Sequence, residues 1–309
     1  MTAPPATQLT FRRSILLGVF LLWAVLLTVA QTVSPQSVAG SPPVNTSNSK
    51  YVGSETCKGC HEDQFKNIEA SSHYRVNLPK IRGEEVHGCE SCHGPGSAHV
   101  EGGGDKSKIF RFAGARPDDV SRRCLTCHES NPEQSQFMRS THNENGVTCT
   151  SCHSVHHSKL EYQLIQNQTP LCFSCHVEQR ADFQKPFHHR VEEGLIKCSD
   201  CHNAHGTMRD RQLRSTPDQD MVCFKCHSDK RGPFVFEHEP VKVEGCTSCH
   251  FPHGSTNARM LTSARTNSLC LQCHAATSAI GHSQNTRIQQ CIDCHSSIHG
   301  SNLSDVFFK

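Results

Sequence analysis

The chain is short of nearly everything an ordinary core is made from. Of 309 residues, 35% are hydrophobic and 6% aromatic, with one Trp and three Tyr. Length alone suggests about two domains, but beyond residue 30 the apolar content is too low for two conventional cores. A chain this polar is either disordered or fills its interior with something other than side chains. Charge excess is also missing: the formal net charge is +2, which points to no nucleic-acid partner. Two of those positive charges, Arg12 and Arg13, lie in the N-terminal segment, so a form lacking that segment is neutral.

Apolar residues concentrate in one run, Ile15 to Ala30, behind Arg12 and Arg13. A basic start, an apolar stretch of this length and small residues at Thr28 and Ala30 read as a secretory signal peptide over residues 1–30, cleaved after Ala30. The alternative is an uncleaved membrane anchor, although the run is shorter than the ~20 residues that span a bilayer comfortably. No cysteine follows the run, which excludes a lipoprotein anchor. Residues 31–50 are rich in Ser, Pro, Asn and Thr and nearly uncharged, the composition of a flexible linker. The folded part is expected over residues 51–309.

What is abundant is cysteine and histidine, 20 and 23 respectively. The sequence CxxCH occurs ten times, and no cysteine lies outside it. The cysteines are Cys57 and Cys60, Cys89 and Cys92, Cys124 and Cys127, Cys149 and Cys152, Cys172 and Cys175. They continue with Cys198 and Cys201, Cys223 and Cys226, Cys246 and Cys249, Cys270 and Cys273, Cys291 and Cys294. Two thiols three positions apart on a helical turn can add to the two vinyl groups of one haem, and the adjacent histidine then meets the iron. The proximal ligands so defined are His61, His93, His128, His153, His176, His202, His227, His250, His274 and His295. A lone CxxC also suits a zinc ribbon or a disulfide. Ten CxxCH with no remainder, behind an export signal, select covalent haem, and hence ten haem c groups with their irons.

Thirteen histidines stand outside the motifs. The motifs form five pairs, each in the order CxxCH, free His, CxxCH, free His. The free histidines are His73 and His99, His142 and His156, His188 and His205, His238 and His253, and His282 and His299, with His87, His157 and His189 left over. His188 is preferred to His189 by aligning His188-His189-Arg190-Val191 with His238-Glu239-Pro240-Val241. Ten irons then have ten candidate sixth ligands. A trailing histidine so near its own motif cannot reach the far face of the same haem, so it is expected to serve another one.

From one odd-numbered motif to the next the period is 67, then 48, 51 and 47 residues. Such repetition implies units that pack mainly on their neighbours. With about 26 residues per haem, the expected fold is a multihaem cytochrome c. It is mostly loop, with short α-helices wrapped around an extended chain of ten haems and little or no β. Ten macrocycles in file, each about as wide as a helix at ~10–12 Å, could reach on the order of 100 Å, more than a bilayer of about 40–45 Å with its headgroups.

Ten motifs in a chain of this size, with CESCHGPGSAH, CSDCHNAHG and CTSCHFPHG, resemble the porin-associated decahaem cytochromes of the MtrA/DmsE type from Tyr51 to Lys309. The resemblance implies a periplasmic protein inserted in an outer-membrane β-barrel porin. Such a protein passes electrons between periplasmic redox proteins and extracellular ones, or other outside acceptors. It implies bis-His ligation at every iron. Two other readings are a soluble periplasmic shuttle and a multihaem reductase. A reductase needs an iron with an open or unusually ligated site, whereas every motif here ends in His and a sixth ligand is available to each.

Overall fold

The computed structural model describes residues 48–77, 80–81, 84–85, 87–157, 159–214, 221–274 and 290–308. The apolar run, most of the linker and His282 lie outside them. Within the described residues no helix is long and apolar enough to cross a membrane.

The described chain is helix and loop, and its helices are short for a local reason. Each CxxCH closes one helical turn, in which the histidine N–H bonds the carbonyl of the first cysteine. The distances are 2.9 Å at His61, His153, His202, His227, His274 and His295, and 3.0 Å at His176 and His250. That turn sets the two cysteine side chains on one face. Beyond it little apolar periodicity sustains a helix, and short isolated helices are marginal without packing. The longest, Pro117–His128, has Pro at its first position and Asp118 and Asp119 in its first turn, both favourable to a helix start. Regular β-structure among the described residues is one two-residue hairpin, Lys80–Ile81 with Glu84–Glu85, plus isolated bridges.

Among the described residues few apolar side chains are buried: Phe65, Val120, Leu125, Phe137, Phe173, Phe183 and Val191. Phe173, Phe183 and Val191 form one small cluster with Ile196 and Cys198. Side chains alone do not make a core for a chain of this length.

The repeats dock through backbone. Phe187 bridges Ser255 and Phe236 bridges Ser301, each joining one repeat to the next. In the third to fifth repeats the trailing histidine is followed by Gly206, Gly254 or Gly300, all at positive φ. A Cβ on Gly206 would lie 2.8 Å from the Gln136 carbonyl oxygen, one on Gly254 would land on the Asp182 carbonyl oxygen, and one on Gly300 on the Phe234 ring. Glycine is required here because two repeats touch.

A second clasp closes the first repeat. Glu90 is 2% exposed. Its carboxylate accepts from the N–H groups of Val52 at 3.0 Å, Gly53 at 2.9 Å and Gly96 at 2.7 Å, tying the start of the folded chain to the loop after Cys92. Glu90→Leu removes the acceptor of all three donors and strands the Gly96 N–H, the buried one, at a cost of about 1–3 kcal/mol. The expected result is rapid hydrogen exchange at these three amides with later repeats still protected. Unchanged exchange at Val52 and Gly53 would show that the carboxylate does not hold this end.

Candidate haem sites

Nine of the ten motif histidines have a histidine from outside the motifs facing them across a gap of similar width. Ring centres are 6.4 Å apart for His61 and His99, 6.2 Å for His93 and His156, and 5.9 Å for His128 and His73. They are 6.0 Å apart for His153 and His205, for His176 and His142, and for His202 and His253. The separation is 6.2 Å for His227 and His189, His250 and His299, and His274 and His238. Two imidazoles on opposite faces of one haem, each with a nitrogen about 2 Å from iron, have centres about 6 Å apart. The residues present therefore fit the group that the motifs imply.

The partners cross between repeats. A leading free histidine meets the first motif of the next repeat (His73 with His128, His142 with His176, His189 with His227, His238 with His274). A trailing free histidine meets the second motif of the previous repeat (His156 with His93, His205 with His153, His253 with His202, His299 with His250). His99 has no repeat before its own and faces His61 in the same one.

One expected residue is corrected. The structure brings His189, not His188, to His227. His188 Nδ1–H donates to the Lys185 carbonyl at 2.5 Å and its Nε2 lies 3.2 Å from Glu193. The Lys185 carbonyl first, then Glu193, raise its pKa, so the ring is occupied at both nitrogens and favours its proton. The alignment was off by one position: Phe187 and Phe236 hold the same bridging slot, which places Phe187-His188-His189 over Phe236-Glu237-His238. Phenylalanine two residues ahead of the histidine was the usable signal. Of the other spare histidines, His87 stacks on Tyr51 at 3.6 Å and His157 stands next to His156.

Burial lowers the pKa of His93, His156, His253 and His299, and brings His205 to about 4. Neutral imidazole is the form that ligates iron. The Nδ1–H groups of His93, His153, His202, His250 and His295 donate to the carbonyls of Phe110, Tyr162, Arg211, Arg259 and Val306, which leaves Nε2 for metal. Three of these carbonyls sit in a left-handed turn made by non-glycine residues, at φ 56°, 55° and 59° for Tyr162, Arg211 and Arg259. Backbone strain of this kind persists where surrounding structure enforces it. Here the chain folds back on its own CxxCH, with His153, His202 and His250 bridged to Leu164, Leu213 and Leu261.

The thiols of paired motifs are neighbours: Cys57 of Cys89, Cys124 of Cys149, Cys172 of Cys198 and Cys270 of Cys291. In a haem-loaded chain these sulfurs would be thioethers.

Known proteins agree with this chemistry. The doubled CXXCH motif model matches residues 142–181, 188–232 and 238–279, and the cytochrome c554 and c-prime model matches residues 101–154. The multiheme cytochrome MtrA of Shewanella baltica is 35% identical over 271 residues, covering 81% of this chain and 79% of that protein. The chain belongs to the MtrA family of multihaem cytochromes. Like other MtrA-type chains it is a c-type cytochrome with covalently bound haem that transfers electrons. Similarity extends to the cytochrome c-type protein NrfB of Escherichia coli, 29% identical over 35% of this chain and 65% of that protein. It extends also to the polyheme cytochrome OmcB of Geobacter sulfurreducens, 23% identical over 86% of this chain but only 33% of that protein.

Proposed function

We propose that this MtrA-type chain holds ten haems, each between two histidines, and serves as the conduit of a porin–cytochrome complex across the outer membrane. The observation that carries this is the set of nine histidine pairs, each spaced for one iron and most of them spanning two repeats. The repeat order in the sequence offers His282, which lies outside the described residues, as the candidate for His295. When bound, each haem cycles between ferric and ferrous states and passes one electron on. The chain's residues do the rest. Twenty cysteines would anchor the haems, and the paired imidazoles, most of them drawn from two repeats, would hold the irons between them. An iron with two protein ligands has no position for substrate, which supports a carrier over a reductase.

The porin sheath, the periplasmic and extracellular redox partners and the outer-membrane location come from likeness to MtrA. The N-terminal apolar run supports export, and residues 31–50 suit a linker to the folded part. Two measurements test the reading. Electron paramagnetic resonance of the oxidised holoprotein is expected to show low-spin ferric haem throughout, and a substantial high-spin signal would defeat full bis-His ligation. Detergent extraction of outer membranes is expected to release the cytochrome with a β-barrel protein. Recovery of the cytochrome alone in the soluble periplasmic fraction would replace the conduit with a diffusing shuttle.

A further inference from the structure

Every trailing histidine except His99 has a repeat in front of it, and three times that repeat grips the chain beside the histidine. In the fourth repeat Ser255, two residues beyond His253, exchanges backbone hydrogen bonds with Phe187 of the third at 2.8 and 3.2 Å. In the fifth, Ser301 beyond His299 does the same with Phe236 of the fourth, at 2.8 Å in each direction. In the third, the Asn203 side-chain amide ahead of His205 donates to the Glu133 carbonyl of the second at 3.0 Å. His99 lies in the first repeat. Among the described residues only 48–56 precede its first motif.

That short arm takes up the task. His99 is carried by the helix Ser97–Glu101, whose N-cap residue, Gly96, provides no side-chain cap. The opening N–H groups of a helix need acceptors from outside it. Here three in succession find them. Gly96 N–H donates to the Glu90 carboxylate at 2.7 Å, Ser97 N–H to the Lys50 carbonyl at 3.1 Å, and Ala98 N–H to the Ser49 hydroxyl at 3.2 Å. Lys50 N–H returns a bond to the Ser97 hydroxyl at 2.8 Å.

The fit is close. A Cβ on Gly96 would lie 3.2 Å from Glu90 Oε1 and 3.4 Å from the Val52 side chain. Val52 and Gly53, the next residues of the arm, donate to the same carboxylate that accepts from Gly96. The His99 ring is turned from its other side, where Nδ1–H donates to the Asp105 carbonyl at 2.9 Å. That leaves Nε2 for metal, with the ring centre 6.4 Å from that of His61.

We infer that residues 49–53 are a terminal cap that positions His99 on the first iron, replacing the preceding repeat that grips the third, fourth and fifth trailing segments. The inference rests on reading His61 and His99 as an axial pair. Stacked repeats need end units unlike their interior ones, and here the end unit is a stretch of five residues. Ser49 and Lys50 are also the last residues of the linker, so the hold on the first iron begins where the linker ends.

The test uses the haem-loaded protein, with haem content checked by intact mass. In reduced protein a sixth ligand must leave before carbon monoxide can bind iron, so the binding rate reports how often that ligand opens. Ser49→Ala combined with Ser97→Ala removes the acceptors of the Ala98 and Lys50 N–H groups. It is expected to speed carbon monoxide binding about tenfold, the worth of a lost helix cap, at one haem per chain. Ser49→Ala alone is the milder variant should the pair not load fully, with a smaller change in the same direction. His99→Ala is expected to turn one haem high-spin in the ferric state and to open it permanently. Added to His99→Ala, the two serine substitutions should then change nothing further, since the ligand they position is gone. The same acceleration in both backgrounds, or one spread over several haems, overturns the inference in favour of general loosening. No acceleration, with one haem opened by His99→Ala, leaves the ligation standing and defeats only the cap. A His99→Ala protein that stays wholly low-spin overturns the axial reading and the inference with it.

Discussion

Expressed without haem attachment, the chain is expected to show no cooperative unfolding transition, with the circular dichroism and amide dispersion of a largely unstructured polypeptide. Among the described residues seven apolar side chains are buried, spread over several repeats, and of these only Phe173, Phe183 and Val191 cluster. Ordering each residue costs about 1–2 kcal/mol of backbone entropy, and so small an apolar interior does not offset that over the described chain. The helices do not help, since most are a single turn and depend on packing. Haem edges and axial bonds must supply the missing interior. A cooperative melt in the haem-free chain, or protected amides in its CxxCH turns, would show that the polypeptide folds first and receives haem into finished sites.

The second large effect is expected from Gly254→Ala. The new methyl would coincide with the Asp182 carbonyl oxygen and crowd the His188 Cβ at 3.2 Å. Backbone cannot swing aside as a side chain can, so the third and fourth repeats must part. Overpacking of this kind costs about 1–3 kcal/mol and sometimes more. The damage is also specific. His253 faces His202 across this junction, and His189, which faces His227, is held by the Pro252 carbonyl. Two haems on different repeats should therefore turn high-spin together. Gly103→Ala is the control: its φ is also positive but nothing lies within 4 Å of the added atom. It should cost about 1 kcal/mol and leave every haem low-spin. Full low-spin character in Gly254→Ala would mean that ligand placement does not depend on this contact.

The motifs for covalent haem were legible in the sequence, because a thiol pair and its histidine are adjacent residues and need no fold to be recognised. The sequence also carried the order of free histidines, and with it the expectation that a trailing histidine serves a haem other than its neighbour. The choice of His188 went astray because two adjacent histidines differ only in which way the extended chain turns them, and that is fixed by the Phe187 to Ser255 bridge from another repeat. The left-handed turns at Tyr162-Gln163, Arg211-Gln212 and Arg259-Met260 left no readable mark. Their residues share no side-chain chemistry, since the conformation is imposed by the backbone bonds of the fold-back. Gly206, Gly254 and Gly300 were present in plain sight after CHNAH, CHFPH and CHSSIH. Their meaning depends on what the neighbouring repeat puts against them.

The crossed pairing of histidines has a consequence for how such chains change length. On the proposed ligation, a repeat in the middle would bring two irons whose sixth ligands belong to its neighbours, and two histidines for its neighbours' irons, because its four histidine pairs all cross to another repeat. Duplicating it leaves no iron short of a ligand and no histidine idle, while His99 at the near end continues to close on His61. Deleting one motif alone breaks that balance on both sides. Lineages built on this plan should therefore lengthen or shorten two haems at a time, with their ends unchanged and the reach of the conduit altered in fixed steps.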